Sequence, residues 1–146
     1  MSQLTFAYEY DRSWFDGSEV QDHFGRLTMT VSTDRFCGKG EFWVQWQDVK
    51  AFGESLATYP ISPERPISDR WGYNKCEGDG LIFGVKISPA DIRGNLRTEV
   101  EIADQHEPRM RVRAIFQTNY PQLEAFRVSI GQLMRREVAE AILIGR

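Results

Sequence analysis

Hydrophobic and polar residues alternate along much of this chain. Leu4, Phe6, Tyr8 and Tyr10 are separated by Thr5, Ala7 and Glu9, the period of a strand with one buried face. The period returns at Leu27, Met29 and Val31, and again at Phe42, Val44 and Trp46, with Glu41, Trp43 and Gln45 on the opposite side. Three more runs follow: Leu81, Phe83, Val85, Ile87; Leu96, Thr98, Val100, Ile102; and Met110, Val112, Ala114, Phe116. Turn-forming stretches punctuate them, at Asp16-Gly17, "DRFCGKGE", Asp79-Gly80, "SPADIRGN" and "DQHEP".

Twice the period changes to that of a helix. Val49, Phe52, Leu56 and Tyr59 form one stripe, stopped by Pro60 and Pro63. Leu123, Phe126, Ile130 and Leu133 form the other, opened by Asn119 and Gln122 as a capping box with Pro121 in the first turn. Pro60 to Gly72 carries three prolines and four charges and reads as a long loop. The tail "EVAEAILIG" fits either a continued helix or a short strand. The expected fold is α+β, a single domain over residues 1–146: a mostly antiparallel sheet of six or seven strands with two amphipathic helices on one face.

An internal likeness accompanies this layout. "WQDVKAFGESL" from Trp46 aligns with "YPQLEAFRVSI" from Tyr120, 74 positions on, with three of eleven residues identical. Each segment follows a strand pair, so the chain reads as a duplicated β-β-α unit. Any strand that enters a capped amphipathic helix follows similar grammar, which is the alternative explanation.

Composition narrows the function classes. The 146 residues are 41% hydrophobic, 12% aromatic and 27% charged, which is globular rather than disordered usage. A chain of this length buries roughly 70% of its unfolded surface, so its core needs no metal or disulfide staple. Eighteen basic against twenty-one acidic residues leave a net charge of −3, with no long-range pull toward nucleic acid or anionic lipid. No apolar run reaches the ~18 residues of a membrane span, and the first residues lack a signal-peptide pattern. A cytoplasmic location is expected, with Cys37 and Cys76 as free thiols.

Patterns that carry catalysis are missing. There is no G-x-S-x-G, no H-E-x-x-H and no glycine-rich phosphate loop. "CGKG" at residues 37–40 lacks the spacing that cradles phosphate, and Cys37, beside Lys39, has no assigned base. His23 and His106 sit in separate turns. Glu77 and Asp79 in "EGDG" lack the alternating oxygen ligands of a calcium loop. The reading leans away from an enzyme, with no cofactor and no metal expected.

Binding is the better expectation. Arg109, Arg111 and Arg113 make a basic row, but a hairpin through "DQHEP" with Ala103 opposite Arg109 would set Glu101 against Arg111 and Glu99 against Arg113. Such cross-strand pairs contribute roughly 0.2–1 kcal/mol each and leave little charge for phosphate, so nucleic acid is not an expected partner, and neither is a membrane. By alternation Trp46 faces the core with Phe42 and Val44, whereas Trp43 faces away with Glu41 and Gln45. An open sheet face lined by Trp43, Gln45, Arg97, Glu99, Arg111 and Arg113 has the make-up of a protein-binding surface. Arg70, Trp71 and Tyr73 add a second aromatic cluster. The expected partner is another protein, with a homodimer as a further arrangement. The alternative is a small-ligand binder or enzyme, with a pocket between the 60–72 loop and the sheet and polar groups from Arg65, Asp69, Arg70 and Glu77.

The run Phe36, Gly38, Gly40, Phe42, Trp43, Val44 (F-x-G-x-G-x-F-W-V), followed by Asp48, Val49 and Phe52, resembles a family of short, uncharacterised bacterial α+β proteins. The resemblance covers about three quarters of the chain. Some of those proteins are described as immunity proteins, which bind and block a toxin made by the same cell. It therefore implies a binding role and supplies no catalytic residue.

Overall fold

Every alternating run becomes a strand and both stripes become helices in the computed structural model, which describes residues 1–10, 24–74 and 80–146. In chain order these are β1 (Ser2–Tyr10), β2 (Phe24–Ser32), β3 (Cys37–Gln45), α1 (Trp46–Ser55), β4 (Ile67–Gly72), β5 (Leu81–Pro89), β6 (Asn95–Ala103), β7 (Arg111–Asn119), α2 (Tyr120–Met134) and β8 (Glu140–Gly145). The turn expected at Asp16-Gly17 lies outside the described residues, as do His23, Cys76, Glu77 and Asp79.

The fold is α+β, but the expected single sheet of six or seven strands is two antiparallel sheets of four, ordered β3-β2-β1-β8 and β4-β5-β6-β7. β4 and β8 are the strands that raise the count to eight, and the six expected ones are divided three and three between the sheets. β4 lies in the second half of the segment expected to be a loop, where buried Ile67 and Trp71 alternate with exposed Ser68 and Arg70. β8 settles the ambiguous tail as a strand, paired along β1 from Ser2↔Gly145 to Ala7↔Glu140. Each helix is thus followed by a short strand that completes a sheet.

The sheets meet where glycine allows it. Gly38 and Gly40, expected in a loop, lie in β3 on its inward side. A Cβ at Gly38 would stand 2.8 Å from Val112 Cγ2, and one at Gly40 would stand 2.8 Å from Ile102 Cγ2 and 2.9 Å from the Ala103 carbonyl oxygen. β3 therefore crosses β6 and β7 almost backbone to side chain, a close approach that a larger residue would block. The helices join the same core. Phe6 of β1 packs against Phe52 of α1 at 5.7 Å, Phe126 of α2 at 5.3 Å and Trp71 of β4 at 6.3 Å between ring centroids. Both sheets and both helices touch this one cluster, so the helices do not simply cover one face of a sheet.

Local signals fix the helix ends. Asn119 Oδ1 accepts from the Gln122 backbone N–H at 2.9 Å, with Pro121 in the first turn. Asn119→Ala should cost about 1 kcal/mol in a thermal or urea melt. Gln45→Ala, at the start of α1 where the side chain makes no cap bond, should cost clearly less; equal losses would mean that the Asn119 cap is not what starts α2. α2 closes with Glu137 N–H donating to Gln132 and Arg136 N–H to Leu133, the pattern that usually places glycine in the left-handed region. Arg136 takes that place at φ 63°, and its guanidinium lies 4.2 Å from the Tyr10 ring centroid. That cation–π contact offsets part of the backbone cost. Tyr59, expected in the first stripe, is exposed and meets Tyr120 ring to ring, while Ile61 enters the core.

The repeat offset recurs in the structure. β3 and β7 each span nine residues, and their helices begin at Trp46 and Tyr120, so each strand-to-helix boundary stands 74 positions from the other. Val49, Phe52 and Leu56 are buried, as are Leu123, Phe126 and Ile130 at the corresponding places.

Candidate functional site

With the inner faces filled by the core, surface chemistry falls to the outward faces of the two sheets. On the first sheet that face presents Gln3, Thr5 and Ala7 of β1, the threonines of β2, and Lys39, Glu41, Trp43 and Gln45 of β3. Threonine on a solvated strand face follows from β-propensity. Trp43 departs from this polar pattern: it is 43% exposed on an edge strand. Arg26, its register partner on β2, holds its guanidinium 5.3 Å from the ring centroid and reaches Glu41 at 3.7 Å. Phe24, opposite Gln45, is also exposed. The result is an aromatic and cationic patch of Phe24, Arg26, Glu41, Trp43 and Gln45.

The second sheet's outward face carries Arg70, Gly84, Lys86, Arg97, Glu99, Glu101, Arg111, Arg113 and Ile115. Its register differs from the expectation by two residues: Ala103 faces Arg111, Glu101 faces Arg113 and Glu99 faces Ile115. The turn is longer than "DQHEP", being closed by Asp104 N–H donating to Met110 and Met110 N–H to Glu107. Glu101 nevertheless meets both arginines, Arg111 at 2.7 Å and Arg113 at 2.6 Å. Glu99 likewise sits between Lys86 at 4.0 Å and Arg97 at 3.7 Å. Five cations thus stand against two carboxylates, so the expected neutralisation of this face is incomplete. Above Gly84, which has no side chain to fill the space, lies an open hollow of about 370 Å³ lined by Ser68, Asp69, Arg70, Lys86, Glu101 and Arg113 among others.

Of the residues singled out from the sequence, Trp43 and Gln45 lie on the first sheet, and Arg70, Arg111 and Arg113 on the second; the single face expected to unite Trp43 and Gln45 with Arg111 and Arg113 does not exist. Trp71 is 3% exposed, packed against Phe6 and Phe52, and is a core residue rather than a surface anchor. Tyr73 is exposed and leans on Phe42 at 5.0 Å. Arg111 acts as a clamp: besides Glu101 it donates to the carbonyls of Leu81 at 2.9 Å and Pro108 at 3.3 Å, tying β7 to β5 and to the preceding turn. Arg65 lies in a separate turn bridged to Ser62.

Titratable groups outside these faces serve the fold. Burial raises the Tyr10 hydroxyl above its ordinary value, Arg136 opposes the shift, and the hydroxyl donates to the Met134 carbonyl at 2.8 Å. The Asp91 carboxyl is lowered by the Asn95 side-chain bond and then by the Arg93 backbone N–H, which pins the β5–β6 turn. Among the described residues no three His, Cys, Asp or Glu converge as metal ligands, and no helix is long and apolar enough to cross a membrane. Sequence reasoning missed Arg26, Lys86 and Gly84 as parts of these faces. Their outward positions follow from alternation, but their neighbours follow only from strand register.

No protein-family model, no curated protein and no solved structure matches this chain. The F-x-G-x-G-x-F-W-V motif has a structural account of its own: its two glycines admit the second sheet, Phe42 supports Tyr73, Val44 is buried, and Phe36 and Trp43 are exposed.

Proposed function

We propose that this protein is a non-catalytic binding module that docks a partner protein on the outward face of the first sheet, centred on Trp43. The observation that carries the reading is a half-exposed tryptophan on an edge strand, with a guanidinium over its ring and a carboxylate beside it. Tryptophan and arginine are the residues most often found as interface anchors, and here no core contact accounts for the pair. An immunity-like role, acting stoichiometrically on a toxin, fits such a surface and the motif resemblance. A cytoplasmic setting belongs to the same proposal and is supported by the exposed thiol of Cys37, which a reducing compartment would keep free. We also infer that the two halves arose by duplication, supported by the repeated strand-to-helix boundary.

The test is affinity capture with wild type and Trp43→Ala side by side. A stoichiometric partner should be held by wild type and weakened on the order of thirtyfold by the substitution, with the melting temperature unchanged. A partner retained equally by both would refute the Trp43 surface. The second reading, a small-ligand binder, is favoured by the hollow above Gly84. Its open shape ranks it below protein binding.

A further inference from the structure

The outward face of the second sheet is electrostatically unlike the chain that carries it. The protein has a net charge of −3, yet this face presents Arg70, Lys86, Arg97, Arg111 and Arg113 against Glu99 and Glu101, with Asp69 also lining the hollow. Arg111 and Glu101 are largely buried and satisfy each other. Arg113 is 75% exposed, with its Nε 2.6 Å from Glu101. Arg70 is exposed and its guanidinium makes no bond among the described residues. Register places these two at opposite ends of one cross-strand row, Arg70–Gly84–Glu101–Arg113. Three strand spacings separate their backbones, roughly 14 Å, with the Gly84 hollow between them.

We propose that this face receives an acidic segment of a partner protein, laid across the strands with carboxylates on Arg70 and Arg113 and its chain over Gly84. The surface is distinct from the Trp43 face and does not depend on it. A guanidinium binds a carboxylate through two parallel N–H donors, so two of them at fixed separation favour an acidic chain over a diffuse anion. Ile115, 52% exposed beside the hollow, offers an apolar contact that a peptide side chain uses. Nucleic acid fits less well: the strands present no aromatic ring on this face for base stacking.

The experiment is fluorescence anisotropy with a labelled short peptide alternating glutamate and serine, its glutamine counterpart, and a short oligothymidylate. The glutamate peptide should bind, weaken as salt rises, and outcompete the other two. Arg70→Glu should weaken it about tenfold or more. Gly84→Leu, which fills the hollow without changing charge, should weaken it as well. Lys39→Glu, on the first sheet, should leave it unchanged. Equal binding of the glutamine peptide, tighter binding of oligothymidylate, or glutarate matching the peptide in stabilising the fold would each overturn the proposal. So would Arg70→Glu or Gly84→Leu leaving affinity intact in a variant that melts normally, or Lys39→Glu weakening it equally.

Discussion

Phe6→Ala should lower stability by about 3–5 kcal/mol, enough to move the melting temperature by roughly 10–15 °C in a domain of this size. Phe6 is fully buried in β1, and its ring touches a residue from each helix and one from the other sheet. Truncation leaves a void lined by Phe52, Trp71 and Phe126. Those rings belong to separate elements whose positions are fixed by strand pairing and helix packing, so the void cannot collapse easily. Urea unfolding followed by both tryptophan fluorescence and far-ultraviolet circular dichroism would check it. The two signals should stay coincident while the midpoint falls. A loss under ~1 kcal/mol would mean that the two sheets and two helices do not share one core.

Gly40→Val should be nearly as damaging, by about 3 kcal/mol or more, through overpacking rather than a void. The first carbon alone would press on Ile102 and on a backbone carbonyl that has no rotamer to change. Valine suits an isolated strand better than glycine does, so local propensity and packing predict opposite signs, and packing decides. Gly84 supplies the control. A Cβ there would meet nothing nearer than 3.8 Å, so Gly84→Ala should be neutral or slightly stabilising. If the two substitutions behaved alike in a thermal melt, β3 would not be in contact with the second sheet.

Alternation along the chain was enough to place six of the strands and both helices, because a strand with one buried face records that face in its own sequence. What the face is buried against is not recorded there. Leu27, Met29 and Val31 read the same whether a helix or another sheet covers them, and this is why one sheet was expected where two exist. β4 was hidden by Pro60, Pro63 and Pro66, which end before the alternation of Ile67 to Trp71 begins. Read as loop, Trp71 is a surface anchor; placed in β4, it is a core residue. Trp43 was legible, since parity alone turns it from Phe42 and Val44. The charge excess on the second sheet was not, because it depends on Arg70 lying beside Gly84 and on a turn that carries Arg109 and Met110 before β7 starts.

The pairing of Ser2 with Gly145 has a consequence for how the chain could be threaded. β1 and β8 are neighbouring strands of one sheet, and the first helix is followed by a turn-rich stretch before β4. Linked across β8 and β1 and reopened between residues 57 and 66, the same structure would run β4-β5-β6-β7-α2 and then β8-β1-β2-β3-α1. In that order each sheet is one uninterrupted meander followed by one helix, every strand keeps its neighbour, and no crossover remains. Both sets of elements then follow one plan, a four-strand meander and a helix.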